Sequence, residues 1–237
     1  MQLIPSLDLM QGRLVRLRHG DPAQATFYDL IAEDWVAQLA AAGARRIHLV
    51  DLDGAFGRPR QGAFTEFPAR FPHVRFQLGG GLRGRAAIEA VLDLGFDAVV
   101  GTLAVERPSA LRGLPADRVI AALDLKGDRI VTRGWQTPSA CASTDVFEAL
   151  LSLGFDRALV TDVSRDGTLE GPGLDAAAQV AREGFRAQAS GGLKSLADLE
   201  PLSRLAGVVG AISGKALMEG HIALDDPATR TALEGGA

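Results

Sequence analysis

Cysteine is almost missing from this sequence: Cys141 is the one thiol among 237 residues. An intrachain disulfide is therefore excluded, and stability must come from packing. No histidine stands near Cys141 to activate it, so it reads as an ordinary loop thiol. Histidine is scarce as well. His19, His48, His73 and His221 lack any paired spacing suited to zinc, and no metal is expected. His48 falls inside an apolar run and reads as a packed residue. No apolar stretch approaches the roughly 18 residues that a membrane span needs. The first residues enter a strand pattern directly, without the basic region or cleavage site of a secretion signal. Charge of one sign is lacking too, with 25 basic residues against 29 acidic. There is no lysine-rich run or aromatic–basic face, so neither nucleic acid nor membrane is an expected partner. The expected location is the cytoplasm. A G-x-G-x-x-G after the first strand is also missing, which argues against a nicotinamide fold.

What the chain does have is a rhythm. Apolar runs of strand type fall at residues 3–7, 46–50, 74–78, 98–100, 119–123, 157–161, 186–189 and 207–212. Amphipathic helical patterns lie between them, as at 30–42, 85–94, 145–153, 174–183 and 196–205. Gly43, Gly95, Gly154 and Gly184 close four of these patterns, as residues after a helix end do. Residues 158–161 stay apolar until the final threonine, which suits a strand buried on both faces. The alternation predicts a parallel sheet with crossover helices. Eight units in 237 residues, 47% of them hydrophobic, suit a single-domain α/β fold, a closed (β/α)8 TIM barrel. An open doubly wound sheet is the alternative.

The rhythm is also duplicated. Ile4-Pro-Ser-Leu-Asp-Leu-Met-Gln-Gly-Arg-Leu-Val15 returns as Ile120-Ala-Ala-Leu-Asp-Leu-Lys-Gly-Asp-Arg-Ile-Val131, which places Asp124 where the first copy has Asp8, 116 residues earlier. Val50-Asp51-Leu-Asp-Gly54 matches the segment from Thr161-Asp162 to Gly167, and Phe76 to Arg83 matches Ala187 to Lys194, both at an offset of 111. Gly101-Thr102 matches Gly214-Lys215 at 113. Matched segments in one order at nearly constant spacing predict two similar half-barrels, about 1–115 and 116–237. Asp8 and Asp124 then stand on one rim, where two carboxylates can supply an acid and a base.

Glycines follow the strands at that rim. Gly79-Gly80-Gly81 and Gly101-Thr102 in the first half, with Ser190-Gly191-Gly192 and Ser213-Gly214-Lys215 in the second, let backbone N–H groups approach an anion closely. Two cradles on opposite sides of one mouth would hold a ligand by a phosphate at each end, with its middle above Asp8 and Asp124. Asp51, Asp53, Asp162 and Asp166 also follow strands, and spacing does not sort proton carriers from supports. Trp135 lies in an irregular stretch, 126–143, where it could cover a ligand and exclude water.

The segments IPSLDLMQGRLVRL, IHLVDLDGAFG, QLGGGLR, AALDLKG, RGW, TDVSRDGTLEGPGLD, ASGGL and AISGKALMEG run in order from residue 4 to residue 220. Together they resemble the ProFAR isomerases of histidine biosynthesis. The resemblance covers nearly the whole chain and implies a cofactor-free Amadori rearrangement of an aminoaldose carrying two ribose phosphates. It implies catalytic roles for Asp8 as proton acceptor, Asp124 as proton donor and Thr168 at the reacting centre. It implies that Arg16, Arg83, Trp135 and Asp166 bind substrate. One phosphate would fall to Gly81, Gly101 and Thr102, the other to Gly192, Gly214 and Lys215. The partner implied is a small bisphosphorylated ribotide, and the chain is expected to act as a monomer. The cyclase subunit of imidazole glycerol phosphate synthase is the nearest rival, but its kind reads Pro-Cys-Leu-Asp-Val in the first strand with a lysine eight residues after the Asp. Ser6 and Arg16 occupy those positions here. The motifs also leave room for a dual-substrate isomerase that takes phosphoribosylanthranilate as well, and for a sugar-phosphate-binding barrel without catalysis.

Overall fold

A computed structural model describes residues 1–18 and 21–235 of the chain; His19 lies outside the described residues. In chain order the strands are β1 (Gln2–Met10), β2 (Arg13–Arg18), β3 (Asp21–Phe27), β4 (Arg46–Asp51), β5 (Arg75–Gly79), β6 (Asp97–Val100), β7 (Val119–Lys126), β8 (Arg129–Thr132), β9 (Thr137–Pro138), β10 (Arg157–Asp162), β11 (Arg186–Ser190) and β12 (Val208–Ser213). Eight of them pair in parallel in the order β1-β4-β5-β6-β7-β10-β11-β12, and β12 returns to β1. That ring is the (β/α)8 barrel the alternation predicted, and its closure excludes the open doubly wound sheet. Closing the sheet also leaves no exposed edge in the ring.

Each barrel strand packs its outward residues under helices and turns its inward residues into the barrel, because side chains alternate with a period of two. Leu3, Leu7 and Leu9 of β1 join the large cluster under the helices, while Ile4 meets Val99, Ile120, Leu159 and Ile212 inside the barrel. Helices Ala32–Ala41, Arg85–Asp93, Ser143–Ser152 and Leu174–Arg182 sit where their patterns fall. The interval 196–205 is split: Leu196–Asp198 forms a 3-10 turn closed by a capping box between Ser195 and Asp198, and only Leu199–Ser203 is α-helical.

The largest departure from the expected pattern is above the rim. β1 continues past Asp8 and folds back on β2 through a two-residue turn, Gln11-Gly12, with both residues in the left-handed region (φ 55 and 71). Such a turn matches the twist of a tight hairpin. The stretch expected to be irregular, 126–143, does the same: β7 folds back on β8 across Gly127-Asp128, and β9 adds to β8. The signal was present in Gly127-Asp128 and in the β-branched pair Ile130-Val131. The runs themselves are too short to register as strands without the pairing.

Candidate active site

A cavity of about 900 Å³ opens at the end of the barrel where the strands finish, and both Asp8 and Asp124 line it. Their strands, β1 and β7, are first and fifth in a ring of eight and so face each other across the barrel. Each carboxylate sits in the same setting, flanked by one parallel and one antiparallel neighbour. Asp8 pairs in register with Val50 of β4 and Val15 of β2; Asp124 pairs with Thr161 of β10 and Val131 of β8.

The side chains are half-buried, and the surface they keep lines the cavity. Burial accordingly dominates their chemistry. It pushes the Asp8 carboxyl up to about 7, helped by the negative charge of Asp166 and opposed by the guanidinium of Arg16. Burial also raises Asp124, to about 6; the Thr161 hydroxyl and the Trp135 indole favour its charged form, and Asp166 works against them. Asp166 lies on the same wall and keeps more exposed surface than either. Desolvation raises it too, against the charge of Arg16. Two carboxyls able to gain or lose a proton near neutrality are what acid–base catalysis at that pH requires.

The glycine loops meet here. Gly79, Gly80, Gly81 and Gly101 line one side, and Gly191, Gly192 and Gly214 the other. Two of the pairs are glycine for a steric reason. A Cβ on Gly80 would lie 2.1 Å from the Asp51 carbonyl oxygen, and one on Gly191 2.7 Å from that of Asp162. Both residues also have φ near +100 (103 and 96). Gly81 and Gly192 repeat the situation, each with a Cβ position 2.2 Å from a backbone oxygen, of Gly54 and Gly171 respectively. Gly101 differs. A Cβ there would make only ordinary contact, 3.8 Å from Ala122, so the fold does not demand glycine at that position. Thr102 and Lys215 complete the two walls.

The four remaining aspartates separate by their partners. Asp51 caps the helix Leu52–Ala55 through Gly54 N–H and pairs with Arg60 at 2.7 Å. Asp53 accepts the Gln11 N–H at 2.7 Å and so ties the β1–β2 turn to the loop after β4. Asp162 accepts from the Ser164 N–H and hydroxyl. These three support loops, and Asp166 is the one on the cavity wall.

Other expected contacts land differently. Thr168 is not on the cavity wall: its hydroxyl donates to the Arg165 carbonyl at 2.8 Å and accepts the Glu170 N–H at 3.2 Å. Gly167 and Leu169, both left-handed (φ 70 and 59), form the wall on either side of it. The turn they build points the threonine into its own backbone. Arg83 lines the cavity, but its guanidinium already donates to the Gly54 and Ala55 carbonyls at 3.1 and 2.6 Å. Arg16 and Lys215 both donate to the Gly167 carbonyl, at 2.8 and 3.3 Å, and hold the loop of Asp166 against the mouth. Trp135 is half-buried at the mouth, within three consecutive left-handed residues, Arg133, Gly134 and Trp135 (φ 56, 65 and 69). Two non-glycine residues held so cost about 1–3 kcal/mol each. The Arg133 N–H is anchored on Thr102 Oγ1 at 3.1 Å, and its guanidinium on Glu106 at 3.1 Å.

His48 and Ser213 also line the cavity. His48 is buried, within 3.3 Å of Gln77 Nε2 through Nδ1, and burial lowers its pKa to about 4, so it is neutral at pH 7. Ser213 is buried with a hydroxyl that has no hydrogen-bond partner among the described residues. The period-two alternation along β4 was the signal for His48, since it puts His48 on the same face as Val50; on β12 it gave no such signal for Ser213, because Ile212 is the inward residue there.

A family model described as "Histidine biosynthesis protein" matches residues 2–223. Among curated relatives, the chain is 43% identical to a protein of Thermomicrobium roseum, over 96% of each chain. It is 41% identical to one of a Cyanothece species, over 95% of this chain and 91% of the relative, and 43% identical to one of Sorangium cellulosum, over 94% and 96%. All three bear the name 1-(5-phosphoribosyl)-5-((5-phosphoribosylamino)methylideneamino)imidazole-4-carboxamide isomerase.

Proposed function

Because this chain belongs to the histidine biosynthesis protein family, we propose that it is the isomerase its relatives are named for, converting the aminoaldose ProFAR into the aminoketose PRFAR. The observation that carries the reading is the pair Asp8 and Asp124, facing each other in one cavity with carboxyls raised to about 7 and about 6. Glycine cradles flank them on both sides, as a substrate phosphorylated at both ends requires.

Asp124 delivers a proton to the ring oxygen of the aminoaldose ribose, and the ring opens to a protonated Schiff base. Asp8 removes the proton from C2′, and the resulting enolamine collapses to the ketose. Before substrate binds, the pKa order runs against this division, since Asp8 holds its proton slightly more firmly. The cationic Schiff base reverses it: a positive charge beside Asp8 favours the carboxylate just when a base is needed. Proton transfer of this kind contributes about 10²–10⁴-fold, with positioning and electrostatics supplying the remainder. Gly81, Gly101 and Thr102 hold one phosphate; Gly192, Gly214 and Lys215 hold the other. Arg16, Arg83 and Asp166 shape the mouth, and Trp135 covers the reacting sugar. Thr168 acts through Asp166 by fixing the turn that carries it, and His48 and Ser213 offer polar contacts from the floor.

A spectroscopic assay with ProFAR tests the proposal directly. Turnover by the native chain, and none by Asp8→Asn with bisphosphate binding retained, is the expected result; no turnover by the native chain would leave only a sugar-phosphate-binding barrel, and unchanged turnover in Asp8→Asn would make Asp8 a scaffold residue rather than the base. A second reading adds phosphoribosylanthranilate as a substrate. It rests on the left-handed run at Arg133–Trp135, which offers a cation and an indole on one short turn at the mouth. The same assay with the anthranilate substrate decides it. The enzyme is read as a cytoplasmic monomer with no cofactor, and sedimentation at micromolar concentration checks the monomer.

A further inference from the structure

The opposite end of the barrel holds a second cavity, of about 830 Å³. It opens where the strands begin, away from Asp8 and Asp124. Four arginines line it, and each is the first residue of its strand: Arg46 of β4, Arg75 of β5, Arg157 of β10 and Arg186 of β11. Asp97, the first residue of β6, stands among them. It meets Arg46 at 3.1 Å, Arg75 at 2.8 Å, Arg157 at 3.1 Å and Arg118 at 3.9 Å.

Asp97 serves three of these guanidiniums at once, those of Arg46, Arg75 and Arg157, and Arg186 has no ion-pair partner among the described residues. Strand register sharpens the imbalance: Arg46 lies opposite Arg75, and Arg157 opposite Arg186. Like charges placed side by side on neighbouring strands are destabilising. Asp117, Asp156 and Glu234 also edge the cavity, but among the described residues none of their carboxylates pairs with these arginines. Asp117 contributes its backbone carbonyl instead, which accepts from Arg75 at 2.9 Å and from Arg157. Arg46 and Arg157 are the enclosed pair, with side chains 16% and 10% exposed. Burial and the nearby Arg157 charge together lower Arg46 to about 10.

We propose that this basal cavity is a binding site for a phosphate group, held by Arg46, Arg75, Arg157 and Arg186. Guanidinium forks match the geometry of phosphate oxygens, and the enclosed setting strengthens each contact. A doubly charged anion gives the guanidiniums that share Asp97, and Arg186 beside them, the carboxylate-like partner they lack. It binds only the folded chain, because the four arginines come together only when β4, β5, β10 and β11 are assembled, and so it stabilises the barrel from below.

Calorimetric titration of the whole chain with inorganic phosphate tests this, in a Lys215→Gln background that weakens the upper cavity. A phosphate isotherm is expected to persist there, and to weaken about tenfold when Arg75→Gln or Arg186→Gln is added, a loss suited to one charge-assisted contact. Both side chains are well exposed, so the fold should survive either change, and ProFAR turnover of the single basal variants should match the native chain. Repeating the titration with ribose 5-phosphate separates a free ion from a phosphorylated metabolite: tighter binding that is still lost in Arg186→Gln assigns the site to the metabolite. No isotherm in the Lys215→Gln background, or one that neither arginine substitution changes, overturns the site.

Discussion

The two halves of the barrel carry the same carboxylate in different company. Asp8 has Val50 beside it in register, and Asp124 has Thr161. Val50 and Thr161 are themselves equivalent positions, both immediately before the loop-supporting Asp51 and Asp162. A methyl group does nothing to stabilise a charge, whereas a hydroxyl can hydrogen-bond it. Asp124 accordingly stays nearer the ordinary carboxylate range, at about 6, while Asp8 rises to about 7. A repeated backbone thus offers two similar acids in different company: the Thr161 hydroxyl and the Trp135 indole favour the charge on Asp124, while Asp166 weighs more heavily on Asp8.

Removing either acid should break the symmetry most visibly. Asp8→Asn and Asp124→Asn should each cut kcat by about 10²–10⁴ while leaving bisphosphate affinity nearly intact. A variant that keeps full turnover would show that its half supplies only a binding surface. Steady-state kinetics beside a binding titration measures both.

The glycines divide along another line. Gly80→Ala and Gly191→Ala force a Cβ onto a backbone oxygen in a left-handed residue and should cost about 2 kcal/mol or more, read from urea midpoints. Gly101→Ala meets no such obstacle. It should remain within about 1 kcal/mol of the native stability yet raise KM, because the methyl occupies the space an anion would use. Equal destabilisation at Gly80 and Gly101 would remove the distinction between glycine for packing and glycine for ligand.

Stability and activity should also oppose each other at Asp8. Its folded pKa lies above its unfolded value of 3.8, so the folded chain binds the extra proton and loses stability as pH rises from about 4 through about 7. Asp8→Asn escapes that loss. It should match the native chain near pH 4 and exceed it at pH 8, although it is inactive. Denaturation midpoints at the two pH values test the sign, and a native chain that is the more stable at pH 8 would contradict it.

The smallest effect is the sharpest test of the two halves. Thr161→Val should raise the pKa of Asp124 toward that of Asp8, and Val50→Thr should lower that of Asp8 toward Asp124. Each change is expected to move one limb of the kcat/KM profile by less than a unit, leaving the other limb in place. Limbs that do not move would mean that Trp135 or Asp166, rather than the neighbouring strand, separates the acids.

Much of this was legible in the chain as written. Strand-type runs with helical patterns between them require a layered α/β fold, since each apolar face must be covered. The duplicated Leu-Asp-Leu segments mark Asp8 and Asp124 without any coordinates. Thr168 was not legible, because the left-handed φ of Gly167 and Leu169 decides where it points, and no motif encodes that. The paired hairpins above the rim were hidden for a similar reason: short runs such as 129–132 become strands only when β7 is alongside.

By itself, then, the sequence determined the barrel, its twofold repeat, and which carboxylates and glycines stand at the rim, because periodicity and turn chemistry are local properties. Tertiary structure alone decided that Asp51, Asp53 and Asp162 are supports, that packing demands glycine at 80 but not at 101, and that arginines from three strands crowd one aspartate at the base. Those outcomes depend on which atoms of distant segments come within a few ångströms of one another, and only the closed ring fixes those distances.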